Sequence, residues 1–212
     1  MNLNFLALLS MEFLTPRAFF IAAACLCCLF FGACHKAVVK PDSTAPVFYS
    51  DGRSVQLLPT QAMSGSIDMA QRLEGHFAKP DGDTSSFSGD TWVRANDSIL
   101  SIHLFGGFGT TIAELTYTKD SVSLSSSFID GEKMKAEYVL ADFQVCFYPF
   151  DALKNNFEKA GFEFREKVEG ADFERTLLED GNTILLVKKS GSEIELVNEL
   201  RKYRYHITLS EN

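Results

Sequence analysis

Two spacings of apolar residues divide this chain. Over residues 66–128 they recur at every second position in short runs separated by turn residues, as half-buried strands require. Residues 66–78 carry Ile67, Met69, Leu73 and Phe77 and end at Lys79-Pro80-Asp81-Gly82, a turn signal. Residues 85–95 carry Phe87, Trp92 and Val93, and Asn96-Asp97 follows as the next turn. Residues 99–105 alternate Leu100, Ile102 and Leu104 against Ser101, His103 and Phe105, then run into Gly106-Gly107-Phe108-Gly109. Residues 112–117 and 122–128 give two more strands, parted by Lys119-Asp120. Ahead of them all, residues 55–59 form a short apolar run closed by Pro59.

The spacing changes over residues 132–161. Met134, Tyr138, Ala141 and Val145 make one row at intervals of three and four, and Ala136, Leu140, Phe143 and Phe147 make another. Together they form the broad apolar face of a helix laid on a core. Pro149 ends that helix, since it has no N–H and disfavours helix at the residue before it. Asp151 is placed to cap a second helix over residues 152–160, with Leu153 and Phe157 on one face and Gly161 closing it. The strand pattern then resumes at 162–168, 173–178, 183–187, 194–197 and 203–209, with glycine turns at Gly170, Gly181 and Gly191. About ten or eleven short strands around one helical hairpin predict a mainly β fold. A sheet that wide seldom stays flat, so the expected architecture is a curved antiparallel sheet forming a half-open barrel, with the helices capping its concave face.

The N-terminal segment changes the picture. Residues 18–31 are almost wholly apolar and follow Arg17. That length suits a signal-peptide core better than a membrane span. The run ends in Phe31-Gly32-Ala33-Cys34, which resembles a bacterial lipobox, where the cysteine is lipidated and becomes the N-terminus. An ordinary secretory signal cut near Ala33, or an uncleaved anchor, is the alternative. Met11 offers a second start, giving a more compact signal. The expected organisation is a signal peptide over 1–33, a lipidated N-terminus and tether over 34–47, and one domain over 48–212. Several acyl chains would hold the protein where a single chain is marginal. His35 and Lys36 after the cysteine, with no acidic residue beside it, match the sorting pattern for the outer membrane and its periplasmic face.

Composition narrows the function classes. A net charge of −8 argues against a nucleic-acid partner, which requires a basic footprint. The chain has 19 Phe and one Trp, suited to a Phe-rich core or a pocket for something apolar. Of five cysteines, three lie in the apolar N-terminal run, leaving Cys34 and Cys146, so no disulfide framework is expected. His35, His76, His103 and His206 are far apart, without metal-ligand spacing. No G-x-S-x-G elbow occurs, and Ser64-Gly65-Ser66 and Ser88-Gly89-Asp90 suit turns or strands better than nucleophiles. The Gly106–Gly109 run lacks the Lys-Ser/Thr of a phosphate loop. The expectation is a protein that is not an enzyme and uses no cofactor. Phe108, at a glycine-flanked tip, is either folded back on the sheet or offered to lipid.

The order of lipobox cysteine, tether, strands, helical hairpin and strands resembles the LolA/LolB-like fold of periplasmic lipoprotein carriers. The loop from Gly107 to Thr111 resembles the protruding membrane-contact loop of the LolB-like receptor, which implies that role for Phe108. Further pieces are Leu57-Leu58-Pro59, Gln71-Arg72-Leu73 with Gly75, residues 139–144, Phe147-Tyr148-Pro149, Ala152-Leu153, Arg175 and the closing 203–209. These are similar to a LolB-like bacterial lipoprotein family linked to aryl polyene or flexirubin-type pigment biosynthesis. The resemblance implies a lipid-anchored protein at the periplasmic face of the outer membrane. It would bind or transfer a hydrophobic ligand: an acyl chain, a lipidated protein or an aryl-polyene-type lipid. Its partners would be membrane lipid, that cargo and a periplasmic carrier protein. The expected cavity residues are Trp92, Leu140, Phe143, Phe147, Tyr148 and Phe157. The alternative is a non-transporting adaptor with a solidly packed interior, serving a pigment-lipid assembly or export complex.

Overall fold

The computed structural model describes residues 46–78, 82–119, 121–126 and 135–210. The signal segment, Cys34 and nearly all of the tether lie outside the described residues, as do Glu132 and Met134 of the predicted first helix.

A small hairpin, β1 (Val47–Phe48) with β2 (Ser54–Val55), precedes the sheet. Ten strands then make one antiparallel sheet. They are β3 (Ile67–Ala78), β4 (Thr84–Ala95), β5 (Ile99–Phe105), β6 (Thr111–Thr118), β7 (Val122–Ser126), β8 (Glu163–Glu169), β9 (Asp172–Glu179), β10 (Asn182–Ser190), β11 (Glu193–Asn198) and β12 (Tyr203–Leu209). Their order is β7-β6-β5-β4-β3-β12-β11-β10-β9-β8. One meander steps outward from the centre to β7. The other starts at the far edge with β8 and steps back until β12 pairs with β3, placing Ile207 opposite Leu73 and Tyr205 opposite Gly75. The chain between β7 and β8 must therefore cross from one sheet edge to the other, and it carries helices α1 (Ala136–Phe147) and α2 (Phe150–Lys159). The sheet curls around this crossing without closing, a half-open barrel with its helices on the concave side.

The helical hairpin follows from local chemistry. Tyr148 is extended (φ −83°, ψ 156°), as the residue before proline must be, so α1 stops at Phe147. Asp151 does not cap α2 as predicted. The helix starts two residues earlier, with Pro149 at the cap position and Asp151 in the first turn. There its carboxylate faces the positive end of the helix dipole. The other end closes as a Schellman turn: the N–H of Gly161 bonds Glu158 O, that of Phe162 bonds Phe157 O, and Gly161 takes φ +83°. The rings of Phe157 and Phe162 meet edge-on at 6.3 Å, completing the motif.

Two buried side chains tie α1 in place. Gln144 acts as a piece of backbone: its side-chain amide pairs with Leu58, Oε1 accepting from Leu58 N at 3.0 Å and Nε2 donating to Leu58 O at 2.6 Å. Tyr117 of β6 donates to that same carbonyl at 2.9 Å. At the C-terminal end of α1, Arg175 of β9 donates through Nη1 to Val145 O (2.7 Å) and Tyr148 O (3.0 Å), and through Nε to Glu166 (2.7 Å). Those carbonyls are ones a helix end leaves without partners. Among the described residues no helix is long and apolar enough to cross a membrane.

Candidate functional site

A cavity of about 350 Å³ lies between the concave sheet and α1. Its roof is one stripe of α1: Val139, Asp142, Phe143, Cys146 and Phe147, spaced i, i+3, i+4, i+7 and i+8. Its floor draws on both meanders. Gln71 and Leu73 come from β3, Phe87 and Thr91 from β4, Ile102 and Leu104 from β5, and Ile112, Ala113 and Leu115 from β6. Leu124, Leu196, Tyr205 and Ile207 complete it. Most strands contribute alternate residues, because side chains on a strand point to opposite faces in turn; Ile112, next to Ala113 near the start of β6, is the exception. Gly75 on β3 lets the Phe87 ring lie across the floor: a Cβ there would fall 2.1 Å from that ring.

The predicted cavity residues separate into three groups. Phe143 and Phe147 line the cavity, their rings stacked with centroids 4.6 Å apart. Leu140, Tyr148 and Phe157 do not line it; they are buried in the packed core. Phe157 of α2 lies against Phe164 of β8 with ring centroids 5.0 Å apart, so α2 seals the β8 side of the barrel rather than roofing the hollow. Trp92 faces the other way. It is 41 % exposed, bonds Asp68 through Nε1 at 2.7 Å and lies beneath the Arg94 guanidinium. The reason is strand parity: Val93 and Ala95 are the inward residues of β4, so Trp92 must point outward.

Three residues that sequence reasoning did not single out as site residues give the hollow its polar character. Gln71 is 5 % exposed, and its Oε1 has no hydrogen-bond partner among the described residues. Thr91, its cross-strand neighbour, spends its hydroxyl on the Gln71 backbone carbonyl at 3.2 Å. Asp142 is 6 % exposed and accepts a 2.6 Å hydrogen bond from the Tyr203 hydroxyl, which accepts in turn from Asn198. Burial pushes the Asp142 carboxyl up to about 7, with the Tyr203 hydrogen bond and the positive charge of Arg201 acting in the opposite direction. Burial also raises the Cys146 thiol, which argues against a reactive thiolate. A polar residue inside an otherwise apolar helical stripe was the available signal for Asp142. For Gln71 it was a polar residue at an inward parity position, between Met69 and Leu73.

The Asp142 carboxyl makes stability depend on pH in a definite direction. Below the ordinary value of 3.8 both folded and unfolded chains hold the proton. As pH rises the unfolded carboxyl ionises first, so stability falls until the folded carboxyl titrates at about 7 and is level above that. Asp142→Asn keeps an oxygen for Tyr203 and removes the titration. Relative to this variant, the parent chain should lose up to ~4 kcal/mol between pH 4 and pH 8 in urea unfolding. Parallel pH profiles for the two would contradict the assignment.

Phe108 stands apart from the cavity at the tip of the β5–β6 loop. It is fully exposed and adopts φ 63°, ψ 20°, between Gly107 and Gly109. A bulky residue in that region of backbone space is strained, and an exposed phenyl ring gains nothing from the core. The loop springs from the strand ends that carry Leu104 and Ile112, both of which line the hollow.

Comparisons with other proteins give the following. The crystal structure of a LolA superfamily protein from Nitrosomonas europaea is similar over 72 % of this chain and 88 % of its own, at 7 % identity and a TM-score of 0.31. No curated protein matches the sequence. A family model described as "Protein of unknown function (DUF3261)" matches residues 68–211, from the second residue of β3 to beyond the end of β12.

Proposed function

This chain belongs to the DUF3261 family, and on that footing we propose that it is a lipid-anchored container for a hydrophobic ligand at the periplasmic face of the outer membrane. The observation that carries this reading is the apolar hollow beneath α1. Protein interiors are close-packed, so a void of about 350 Å³ with a nearly all-apolar lining favours a container over a solid adaptor. Its size falls at the lower end of small-ligand pockets, roughly 300–1,000 Å³. Ten buried methylenes would contribute ~8 kcal/mol, against an association cost of ~4 kcal/mol or more. Long tails should therefore be held and short ones should not. An acyl chain, the lipid of a lipidated protein or an aryl-polyene-type lipid all have that form, and binding involves no covalent step.

The membrane elements of the proposal are Cys34, as the lipidated residue, and Phe108, as the side chain that enters the bilayer. With Phe108 in the bilayer, the end of the cavity near Leu104 and Ile112 would sit close to lipid. A fluorescent polyene methyl ester tests the container directly. Added to the full chain in lipid nanodiscs, it should show saturable one-site binding beyond its partition into empty discs. Partition alone would rule the container out.

A further inference from the structure

Resting on the container reading, we propose that the hollow selects an amphiphile with a basic amine head, whose ammonium group pairs with the Asp142 carboxylate and donates to the Tyr205 hydroxyl. The polar side chains in the lining are Gln71, Thr91, Asp142 and Tyr205, beside the Cys146 thiol. Two of them are closed to a ligand. Gln71 Oε1 is sealed within the floor, and the Thr91 hydroxyl is spent on the Gln71 carbonyl. Asp142 and Tyr205 are open. Asp142 gives Oδ2 to the Tyr203 hydroxyl, and its Oδ1 has no hydrogen-bond partner among the described residues. The Tyr205 hydroxyl has none there either. Neither atom is sealed as Gln71 Oε1 is, and on side chains that line the hollow this leaves both open to it. The lining holds no lysine, arginine or histidine.

What the site lacks is a counter-charge. Asp142 is 6 % exposed, and a carboxylate so buried is unfavourable unless paired. Arg201 is the cation whose charge reaches it. That guanidinium bonds the Phe48 carbonyl and lies over the Tyr138 ring at 4.1 Å, and it forms no salt bridge with Asp142. The other titratable neighbours are Tyr49, Cys146, Tyr203 and Tyr205. Burial and the Asp142 charge raise all four, so they stay neutral between pH 5 and pH 8. A ligand ammonium supplies the missing partner, and folding has already desolvated the carboxylate it meets. A carboxylate or phosphate head would meet like charge instead. The hollow also has room for the tail. Tyr205 on β12 and Ile112 on β6 both line it and stand four strands apart, ~19 Å along the sheet at ~4.8 Å per step. A head held by Asp142 and Tyr205 leaves the chain to run over Leu73, Leu104 and Phe143 toward Ile112. At roughly 30 Å³ for each water-sized group, the hollow holds about a dozen heavy atoms.

Dodecylamine and dodecan-1-ol differ in the head alone. Each can be titrated at pH 8, with dodecanoate as a third probe, against the polyene ester bound to the full chain in phosphatidylcholine nanodiscs, after correction for partition into empty discs. The amine should compete roughly 10- to 100-fold better than the alcohol, and dodecanoate should be the weakest of the three. At pH 5 the Asp142 carboxyl, which titrates at about 7, holds a proton that the amine must displace. That weakens the amine by about a hundredfold, so its advantage should vanish. In Asp142→Asn, with each probe measured against ester bound to that variant, the advantage should be absent at pH 8 as well. The pH comparison uses the parent chain alone and stands whether or not the variant folds. Equal competition by amine and alcohol at pH 8, or an advantage that survives pH 5 or Asp142→Asn, would overturn the assignment to Asp142 and leave the container intact. Failure of the polyene ester itself to bind the parent chain would overturn the container and this inference together.

Discussion

Filling the cavity from its floor should abolish binding while leaving the fold intact. Ala113 is buried on β6, lines the hollow, and lies between Leu104 of β5 and Ser126 of β7. In Ala113→Phe the ring enters space that is otherwise void, where a phenyl group buries ~150 Å² or more. Excluding only four methylenes of a bound chain removes ~3 kcal/mol, so the affinity for the polyene ester should fall by more than about a hundredfold. Cavity-filling substitutions commonly leave stability unchanged or raise it. The thermal midpoint therefore separates loss of the hollow from loss of the fold. Unaltered binding by a folded Ala113→Phe variant would place the ligand somewhere other than beneath α1.

The largest stability effect should come from Arg175→Met. Arg175 is buried, its partner Glu166 is nearly so, and the guanidinium also lies 4.3 Å from the Phe173 ring centre. Removing the cation strands a carboxylate and frees two carbonyls of α1, Val145 O and Tyr148 O. Breaking a buried pair by deleting one partner costs ~3–5 kcal/mol, which approaches the whole stability of many domains. Urea unfolding of Arg175→Met should show a loss of that size. Adding Glu166→Leu should recover only part of it, because the helix-end carbonyls still lack a donor. Full recovery in the double variant would mean that the ion pair alone matters and that Arg175 does not cap α1. Since α1 supplies the whole helical roof of the hollow, the single substitution should also weaken ligand binding at temperatures where the variant is folded.

Much of the fold was legible in the sequence because strand alternation and turn chemistry act over a few residues. β5 and β12 have the ends that the pattern predicts, and the proline stop between the helices lies where Pro149 put it. Orientation was less legible. In β4, Phe87, Val93 and Ala95 share one parity and Trp92 has the other, so alternation alone assigns Trp92 to the outer face. The expectation that Trp92 lines the cavity set that parity aside. In α1 the difficulty is different. The helix is buried on nearly all sides, from Ala136 and Glu137 through Leu140 to Cys146. Its two apolar rows therefore could not distinguish the face toward the hollow, with Phe143 and Phe147, from the face toward the core, with Leu140. The β1–β2 hairpin was missed because two-residue strands carry too little pattern to read. Gln71 and Asp142 show in the sequence only as polar residues at inward positions, and the partners of Asp142 and Arg175 lie far away along the chain, where periodicity gives no measure of them.

Native mass spectrometry of the full chain, extracted with lipid from its own membrane, asks directly whether the hollow is occupied. The predicted result is a species heavier than the N-terminally modified chain by the mass of one lipid-like molecule, absent from the Ala113→Phe variant prepared in the same way. A parent chain that carries no mass beyond its N-terminal modification, and is indistinguishable in this respect from Ala113→Phe, would contradict the container.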